Sequence, residues 1–300
     1  MNGPNSPSGA IARLAWAVPA RNVAENFKHW FLAVAPAPPA SIFRPHLPAV
    51  AATVASFIVI VVSMFWFDSA ASEWARRLPV WFTGAFEEIT NFGLSGWFLV
   101  PFGFVLVCLA AAISPALSRA SRGVLTALAA RFGFLFLAIA VPGLFVTILK
   151  RLIGRARPYV GGHDDPFAYV PFIWRPEFSS MPSGHATTAA SAAVAIGAIW
   201  PRARGVLWLY AIIIMFSRVV VLAHHPSDVI AGALVGSAGA LLLRRWFAAR
   251  RLVFCASDLR PFPGPSFRRI KVAFREVLAS FRVARVGPAG QPIEPGPDAH

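Results

Sequence analysis

The sequence predicts an all-α integral membrane protein built as a six-transmembrane-helix bundle. Hydrophobic residues make up 57% of the chain and charged residues only 14%, whereas a soluble globular domain carries about 25% charged residues. A second observation is a series of apolar stretches, of which the first, 47–67, is long enough to cross a hydrocarbon core of about 30 Å. A third is the uneven distribution of Lys and Arg among the segments that join these stretches. Together these observations exclude a soluble globular domain.

The predicted spans follow one another from residue 47 to residue 243. The first, 47–67, is an uninterrupted apolar run. In 68–95, charged residues alternate with Trp and Phe, which is typical of a helix in the membrane interface. The other spans are predicted at about 96–113, 132–149, 186–200, 205–223 and 229–243. The fourth and sixth are rich in small residues, including Gly232 and Gly236 at GxxxG spacing, so we expect these helices to pack closely.

The segments on either side of the bundle are predicted to be cytoplasmic. Residues 1–46 are rich in Pro and Ala, and we expect a mobile arm with an interfacial turn at most. Residues 244–300 form a basic tail, in which apolar residues recur at helical period over about 267–285. That pattern, with Arg and Lys between the apolar positions, is typical of an amphipathic helix on an anionic membrane surface.

The distribution of positive charge indicates the topology. If the N-terminus is inside, the inner segments hold 20 Lys and Arg and the outer side holds 8, counting Arg218 near the end of the fifth span, in agreement with the positive-inside rule. Both termini are then cytoplasmic, and the loops 68–95, 150–185 and 224–228 face outward. The net charge is +15, but much of the excess lies in the inner segments, so we expect no nucleic-acid partner.

Cysteine usage excludes two kinds of chemistry. Cys108 lies in an apolar run and Cys255 in the basic tail. They form neither a disulfide framework nor a metal-ligand cluster, so redox and zinc chemistry are not expected.

Three clusters of polar residues interrupt the apolar pattern on the predicted outer side. The first contains Lys150, followed after six residues by Arg157 and Pro158. Basic residues at the end of a span commonly reach to the interface as anchors. The positive-inside rule disfavours cations on the outer face, which weakens that interpretation and favours a ligand outside the bilayer.

The second cluster, Pro182-Ser183-Gly184-His185, precedes the fourth span. An ordinary turn, with Ser183 as the N-cap and His185 at the interface, is one interpretation. An oxyanion site is the other, because N–H groups at the start of a helix attract anions, and Gly184 has no Cβ to obstruct a close approach. Taken alone, this pattern leaves both interpretations open.

The third cluster contains Ser217 and Arg218, then His224, then Asp228. An arginine within a membrane span is costly unless it is paired or lies in a watery cavity, so Arg218 is a functional candidate. Asp228 is within reach of His224 across the break between two spans, where a carboxylate would fix the ring tautomer and raise its basicity. A His-Asp hydrogen bond that only joins two helices is the structural alternative.

Together the clusters predict phosphoryl chemistry at one outer mouth of the bundle. Several cations stabilise a multiply charged anion such as phosphate, most strongly in a transition state that gains charge. One histidine can attack phosphorus while the other protonates the leaving oxygen.

The three motifs resemble the tripartite signature of the type 2 phosphatidic acid phosphatase superfamily. This family comprises lipid phosphate phosphatases and the related vanadium-dependent haloperoxidases. The motifs that carry the resemblance are Lys150-x6-Arg157-Pro158, Pro182-Ser183-Gly184-His185 and Ser217-Arg218-x5-His224-x3-Asp228. The resemblance covers about residues 47–243, which we take as the membrane phosphatase domain.

The resemblance implies a role for each motif residue. His224 would be the nucleophile, Asp228 its orienting partner, and His185 the general acid. The phosphate oxygens would be held by Lys150, Arg157, Ser183, Gly184 and Arg218. Neither a metal nor a cofactor is implied.

The implied function is hydrolysis of a phosphate monoester or pyrophosphate on a membrane lipid through a phosphohistidine. Undecaprenyl pyrophosphate is preferred on family grounds alone, and phosphatidate, phosphatidylglycerol phosphate and lipid A are alternatives. The expected location is a bacterial inner membrane, with the site facing the periplasm. The motifs identify the phosphate and leave the lipid tail and the oligomeric state open.

Two other functions are compatible with the same site. A lipid phosphotransferase would pass the phosphoryl group to a second lipid. A non-catalytic lipid-phosphate binder or transporter would need only the cations, so the presence of His185, His224 and Asp228 counts against it. Soluble haloperoxidase chemistry has little support, because a six-span chain presents its site to lipid.

Overall fold

The computed structural model describes residues 7–34, 47–160 and 165–285. Over these ranges the chain forms ten α-helices and no β-strand, which confirms the all-α class. The helices are α1 Pro7–Val34, α2 Leu47–Trp66, α3 Asp68–Arg76, α4 Val80–Asn91, α5 Gly96–Ala112, α6 Arg119–Ile153, α7 Gly184–Ile199, α8 Arg204–Val220, α9 Pro226–Ala249 and α10 Phe267–Arg285.

Helix length and apolar character support four membrane spans in the described residues. They are Val80–Ala112, Arg119–Ile153, Pro201–Val220 and Pro226–Ala249, and α4 and α5 together form the first. A fifth is obtained if α2 and α3, which meet at a bend of 50°, form one broken span.

Helix α7 was predicted as the fourth of six spans. It has 16 residues, or about 24 Å at 1.5 Å per residue, which is shorter than a hydrocarbon core of about 30 Å. Six spans with both termini in the cytoplasm therefore stay a prediction.

The described chain divides into two compact units, which we call the larger and the smaller unit. The larger unit contains residues 47–103, 133–160 and 165–261. The smaller unit contains residues 7–34, 104–132 and 262–285. This division differs from the predicted arm, membrane domain and tail, whose functional boundaries stay predictions.

Helix α7 forms the core of the larger unit, where it packs against α8 and α9. Most of its side chains are small and buried, which allows close helix packing. A Cβ on Gly232 of α9 would overlap the carbonyl oxygen of Ser183, and one on Gly236 would overlap that of Thr187. The close approach predicted from the GxxxG spacing is thus confirmed, and it sets the start of α7 against the start of α9.

The larger unit continues past the predicted end of the last span. Helix α9 extends to Ala249, and Phe247 near its end is buried and packs edge-on against Phe134, with 5.5 Å between the ring centroids. Phe254 also packs edge-on against Phe134, at 4.8 Å. Arg244 donates hydrogen bonds to the carbonyl of Leu259, so residues 250–261 lie against the end of α9.

In the smaller unit, two asparagines anchor α1. Asn22 donates to the carbonyl of Ala111 at 3.3 Å, and Asn26 donates to those of Ala110 at 3.0 Å and Ile113 at 2.9 Å. These carbonyls lie at or just beyond the end of α5, where a helix leaves its last carbonyls unpaired. The long helix differs from the predicted arm with a turn at most. Residues 1–6 and 35–46 of that arm lie outside the described residues.

Helix α10 covers the range predicted for an amphipathic helix in the tail. Ala273 and Val277 are buried, whereas Phe267 and Leu278 remain exposed. Glu276 accepts hydrogen bonds from the N–H and the hydroxyl of Ser118 at 3.2 and 3.1 Å, which fixes the helix to the loop before α6. Residues 286–300 of the tail lie outside the described residues.

We expect Gly236→Ala to destabilise the larger unit by about 1–3 kcal/mol, because the added methyl group overpacks the contact with α7. The measurement is the thermal unfolding midpoint of the detergent-purified protein, followed by tryptophan fluorescence. Gly205→Ala is the matched control, since a Cβ at that helical position meets no other atom within 4 Å. Equal midpoints for the two variants would contradict the close approach of α7 and α9.

Candidate active site

The three predicted motifs lie at helix ends within the larger unit. Lys150 is in the last turn of α6, and Arg157 follows that helix. His185 is the second residue of α7, and Arg218 is in the last turn of α8. His224 precedes α9, and Asp228 lies in its first turn. The site is therefore built from the ends of four helices, namely α6, α7, α8 and α9.

The predicted cations lie close enough to one another to interact electrostatically. Lys150 experiences the charges of Arg157, Arg151 and Arg218, and it also experiences that of Asp228. A Cβ on Gly184 would lie 3.5 Å from the Lys150 ammonium. The backbone of Gly184 therefore borders the cationic cluster directly, as the oxyanion interpretation of this turn requires.

Several donors of this cluster are buried without a hydrogen-bond partner among the described residues. They are Nε of Arg157, Nε of Arg218 and the hydroxyl of Ser183. Nη1 of Arg218, by contrast, donates a hydrogen bond to the Thr90 hydroxyl at 2.6 Å. Because an unpaired buried donor is costly, these groups form a set of donors suited to an anion with several oxygens.

Ser183 occupies the N-cap position of α7 but does not use its side chain to cap the helix. Its N–H donates to the backbone carbonyl of Asp228 at 2.9 Å, which joins the second and third motifs directly. The ordinary N-cap interpretation of Ser183 is therefore right in position but wrong in the side-chain hydrogen bond that it implies.

The two histidines interact with the cations and with each other. His185 experiences the charges of Arg218, His224, Lys150 and Arg157. His224 is 3% exposed, and its backbone N–H donates to the carbonyl of Arg218 at 3.2 Å. Nδ1 of its ring lies 3.9 Å from Oδ2 of Asp228, which is longer than a hydrogen bond.

Asp228 has closer partners than His224. Its Oδ2 accepts hydrogen bonds from the Ser180 hydroxyl at 2.5 Å and from the His225 N–H at 2.9 Å. Its Oδ1 accepts one from Arg155 Nη1 at 2.6 Å. The predicted proximity of Asp228 and His224 is present, whereas the donors that hold the carboxylate were not predicted from the motifs.

Two charged residues for which no role in the site was predicted, Arg155 and Asp68, complete this arrangement. Arg155 and Asp68 are both fully buried and are joined by an ion pair of 2.7 Å. Burial alone would lower the pKa of Arg155, but the carboxylates of Asp228 and Asp68 raise it above its ordinary value. Arg155 could have been suspected from its place between Lys150 and Arg157. Asp68, at the end of the first apolar run, has no sequence signal of its own.

An apolar groove of about 360 Å³ adjoins His185 and Gly184. Its walls come from residues 93–99, from α6 and from the start of α7. They are formed by Gly93, Leu94, Ser95, Leu99, Ile139, Ala140, Gly143, Leu144, Thr147 and Thr188. The cationic cluster thus has an apolar surface beside one of its histidines.

Apolar helices of membrane-spanning length, together with a buried cationic site that contains two histidines, define a membrane enzyme acting on a phosphate-like group. Residues 131–252 match the model of the PAP2 superfamily. The chain belongs to this superfamily, which confirms the resemblance found in its motifs. The predicted enzyme class, a lipid phosphate phosphatase, is confirmed with it.

Two similar proteins align over most of their length. A lipid A 1-phosphatase of Rhizobium johnstonii is 33% identical over 213 residues, which cover 70% of this chain and 84% of that protein. A lipid A 1-phosphatase of Rhizobium etli is also 33% identical over 213 residues, covering 70% and 89%. An undecaprenyl-diphosphatase of Sulfolobus acidocaldarius is 34% identical over 95 residues, covering 30% and 46%. No solved structure matches the chain significantly.

We expect the ring of His224 to stay neutral in mildly acidic solution. Burial lowers its pKa to about 4; Asp228 opposes this shift, and the charges of Arg218 and Arg157 add to it. Because the charged form is the protonated one, a lower pKa means that more acid is needed to protonate the ring. NMR of histidine-labelled protein, with the signal assigned by its loss in His224→Gln, should show no titration of this ring between about pH 8 and pH 5. A midpoint near the ordinary value of 6.5 would contradict the buried environment.

Proposed function

We propose that the chain removes a phosphate group from a membrane lipid through a phosphohistidine formed on His224. The observation that carries this proposal is the convergence of Lys150, Arg157 and Arg218 with His185 and His224. Cations in this number suit the charge that develops on the oxygens of a transferred phosphoryl group. Two histidines at the same place supply a nucleophile and a proton donor.

In the first step, His224 attacks phosphorus. Its Nδ1 lies on the side of Asp228, so a proton held there leaves the Nε2 lone pair for the attack. The bond from Nε2 to phosphorus forms while the bond from phosphorus to the leaving oxygen breaks. His185 gives its proton to that oxygen. The charge of the phosphate favours the protonated form of His185 before this step.

In the second step, water attacks the phosphohistidine. The oxygen of water bonds to phosphorus, the bond between phosphorus and Nε2 breaks, and its electron pair returns to His224. A proton of the water passes to His185, which restores the starting state. Lys150, Arg157, Arg218 and the donors at Ser183 and Gly184 hold the phosphate oxygens in both steps.

The lipid is the open part of the proposal, and we take the 1-phosphate of lipid A as the first substrate to test. The lipid A 1-phosphatases cover 70% of the chain, whereas the undecaprenyl-diphosphatase covers 30%. Undecaprenyl pyrophosphate, preferred from the sequence, becomes the second candidate. In either substrate, the apolar groove beside His185 would receive the lipid part that adjoins the leaving oxygen.

We further propose that the protein spans a bacterial inner membrane with the site on the periplasmic side. The support is the distribution of Lys and Arg, 20 on the proposed inner side against 8 on the outer. This orientation requires six spans, with the short α7 as one of them. The lipid phosphate would then reach the site from the outer leaflet.

The proposal is tested by phosphate release from a panel of lipids in detergent with EDTA present. We expect release from one member of the panel, and we expect His224→Ala to reduce it at least about a thousandfold, since the nucleophile is lost. The panel contains lipid A, undecaprenyl pyrophosphate, phosphatidylglycerol phosphate and phosphatidate. Alkaline quenching should retain an acid-labile phosphohistidine in the wild type and none in His224→Ala.

The control is His29→Ala, the same substitution at an exposed position on α1, which should retain wild-type release. Full turnover in His224→Ala would eliminate the proposed nucleophile. Transfer of the phosphate to a second lipid, without inorganic phosphate, would instead establish the phosphotransferase. Binding of the lipids without any turnover would establish the binder or transporter.

The proposed role of the groove is tested by filling it. Gly143 lines the groove, and a Cβ there meets no other atom within 4 Å, so Gly143→Leu adds bulk to the lining of the groove at a position with room for its Cβ. We expect kcat/KM for the lipid substrate to fall about 10- to 100-fold. Hydrolysis of p-nitrophenyl phosphate, which has no lipid tail, should stay within about twofold of wild type.

The matched control is Gly133→Leu on the same helix, where a Cβ also meets nothing within 4 Å and which does not line the groove. It should leave both activities unchanged. A loss on both substrates in Gly143→Leu, or an equal loss of lipid activity in Gly133→Leu, would contradict the groove as the lipid subsite.

A further inference from the structure

Asp68 is a buried carboxylate that lies outside all three motifs. It is the first residue of α3, and its side chain is 0% exposed. Its Oδ2 accepts hydrogen bonds from Arg155 Nη2 at 2.7 Å and from the Ser227 hydroxyl at 2.5 Å. Its Oδ1 accepts one from the Ser227 N–H at 3.0 Å. The Asp68 oxygens therefore bind Ser227, which precedes Asp228 in the sequence, and Arg155, which is hydrogen-bonded to Asp228.

Arg155 joins Asp68 to Asp228. One terminal nitrogen, Nη2, binds Asp68, and the other, Nη1, binds Asp228 at 2.6 Å and the Ser227 hydroxyl at 2.7 Å. Nε donates to the carbonyl of Pro166 at 2.9 Å. Every nitrogen of the guanidinium thus has an acceptor, which leaves this side chain a single orientation. The planar fork of arginine suits such a bridge, whereas the single nitrogen of lysine does not.

We propose that Asp68 is a positioning residue that acts through Arg155 and Ser227 to hold the Asp228 carboxylate beside His224. The inference rests on the proposed function, because it assigns Asp68 to the formation of the phosphohistidine. Within the described residues, the Asp68 carboxylate is bonded to Arg155 and Ser227, so it does not belong to the groups proposed to hold the phosphate.

The charge of Asp68 matters as well as its hydrogen bonds. In a buried network, a guanidinium attracts each carboxylate that it pairs with strongly, because the local dielectric is low. Asp68 supplies a second carboxylate to Arg155, so that Asp228 keeps part of its negative charge for His224. Without Asp68, Arg155 would turn fully toward Asp228, and the nucleophile would lose both the position and the charge of its partner.

A merely structural role is the competing interpretation. Helix α3 also contacts the loop after α6 through Arg76, whose Nη2 donates to the carbonyl of Pro158 at 2.6 Å. Asp68 could therefore serve only to attach α3 to that loop and to α9. The two interpretations differ in kcat at temperatures well below the thermal midpoint, where a variant of Asp68 is folded. A structural role predicts a normal kcat there, whereas a positioning role predicts a low kcat with KM little changed.

The experiment compares kcat, KM and the thermal midpoint for wild type, Asp68→Asn and Arg155→Lys, with kinetics measured well below each midpoint. We expect Asp68→Asn to lower kcat about 10- to 100-fold, as small displacements of a reacting group do, with KM within about threefold of wild type. Arg155→Lys should keep the charge and also lose kcat.

The matched control is Glu73→Gln on the same helix, which removes an exposed carboxylate that lies 3.7 Å from Arg77. It should leave kcat, KM and the midpoint unchanged. If Asp68→Asn does not fold, Arg155→Lys decides the question. Wild-type kcat in whichever of the two variants folds would overturn the positioning role.

These measurements distinguish failure of the proposed function from failure of the positioning role of Asp68. A wild-type protein that hydrolyses no lipid of the panel, or one that turns over without His224, overturns that function and this inference with it. A wild type that depends on His224, with normal kcat in Asp68→Asn, overturns the inference alone.

Discussion

The ion-pair network of Arg155 with Asp68 and Asp228 is the interaction on which the arrangement of the site depends. All three side chains are fully buried, where charges are costly unless geometry and hydrogen bonding are nearly complete. Such a network is weak evidence for stability, but it restricts the side chains to one arrangement. It also joins three separate parts of the chain, namely the start of α3, the loop after α6 and the first turn of α9. The carboxylate nearest to His224 is therefore oriented by residues far from it in sequence.

Close packing of α7 against α9 places the second motif, at the start of α7, beside this network. The glycines of α9 let α7 approach until the Ser183 N–H reaches the carbonyl of Asp228. His185 then lies within electrostatic reach of His224, and the backbone of Gly184 borders Lys150. Under the proposed mechanism, small residues in α7 and α9 serve the chemistry as well as the fold, since larger ones would separate the two histidines.

Much of the site was predictable, because its residues are grouped in three short motifs with fixed spacing. The chain brings Lys150, His185, Arg218, His224 and Asp228 into mutual electrostatic reach, as the motifs implied. Asp68 was not predictable, since it precedes its partner Arg155 by 87 residues and a lone acidic residue after an apolar run is typical of an interface. The long helix α1 was missed for the same reason: its asparagines bond to carbonyls 84 to 89 residues away. Helical period predicted the range of α10, because the helix is amphipathic and its signal is local.

The length of α7 has a consequence for the membrane around it. A helix of 16 residues extends about 24 Å and cannot reach both boundaries of a hydrocarbon core of about 30 Å. Under the proposed topology α7 is one of the spans. Its C-terminal end is followed by Trp200, Arg202 and Arg204, which are residues of the kind that anchor a helix at the interface, so the shortfall would lie at the end that begins with Gly184 and His185. Thinning of the bilayer is one way in which a short span is accommodated. Bilayer thickness, set by acyl chain length, would then control how far a headgroup must descend to meet the two histidines.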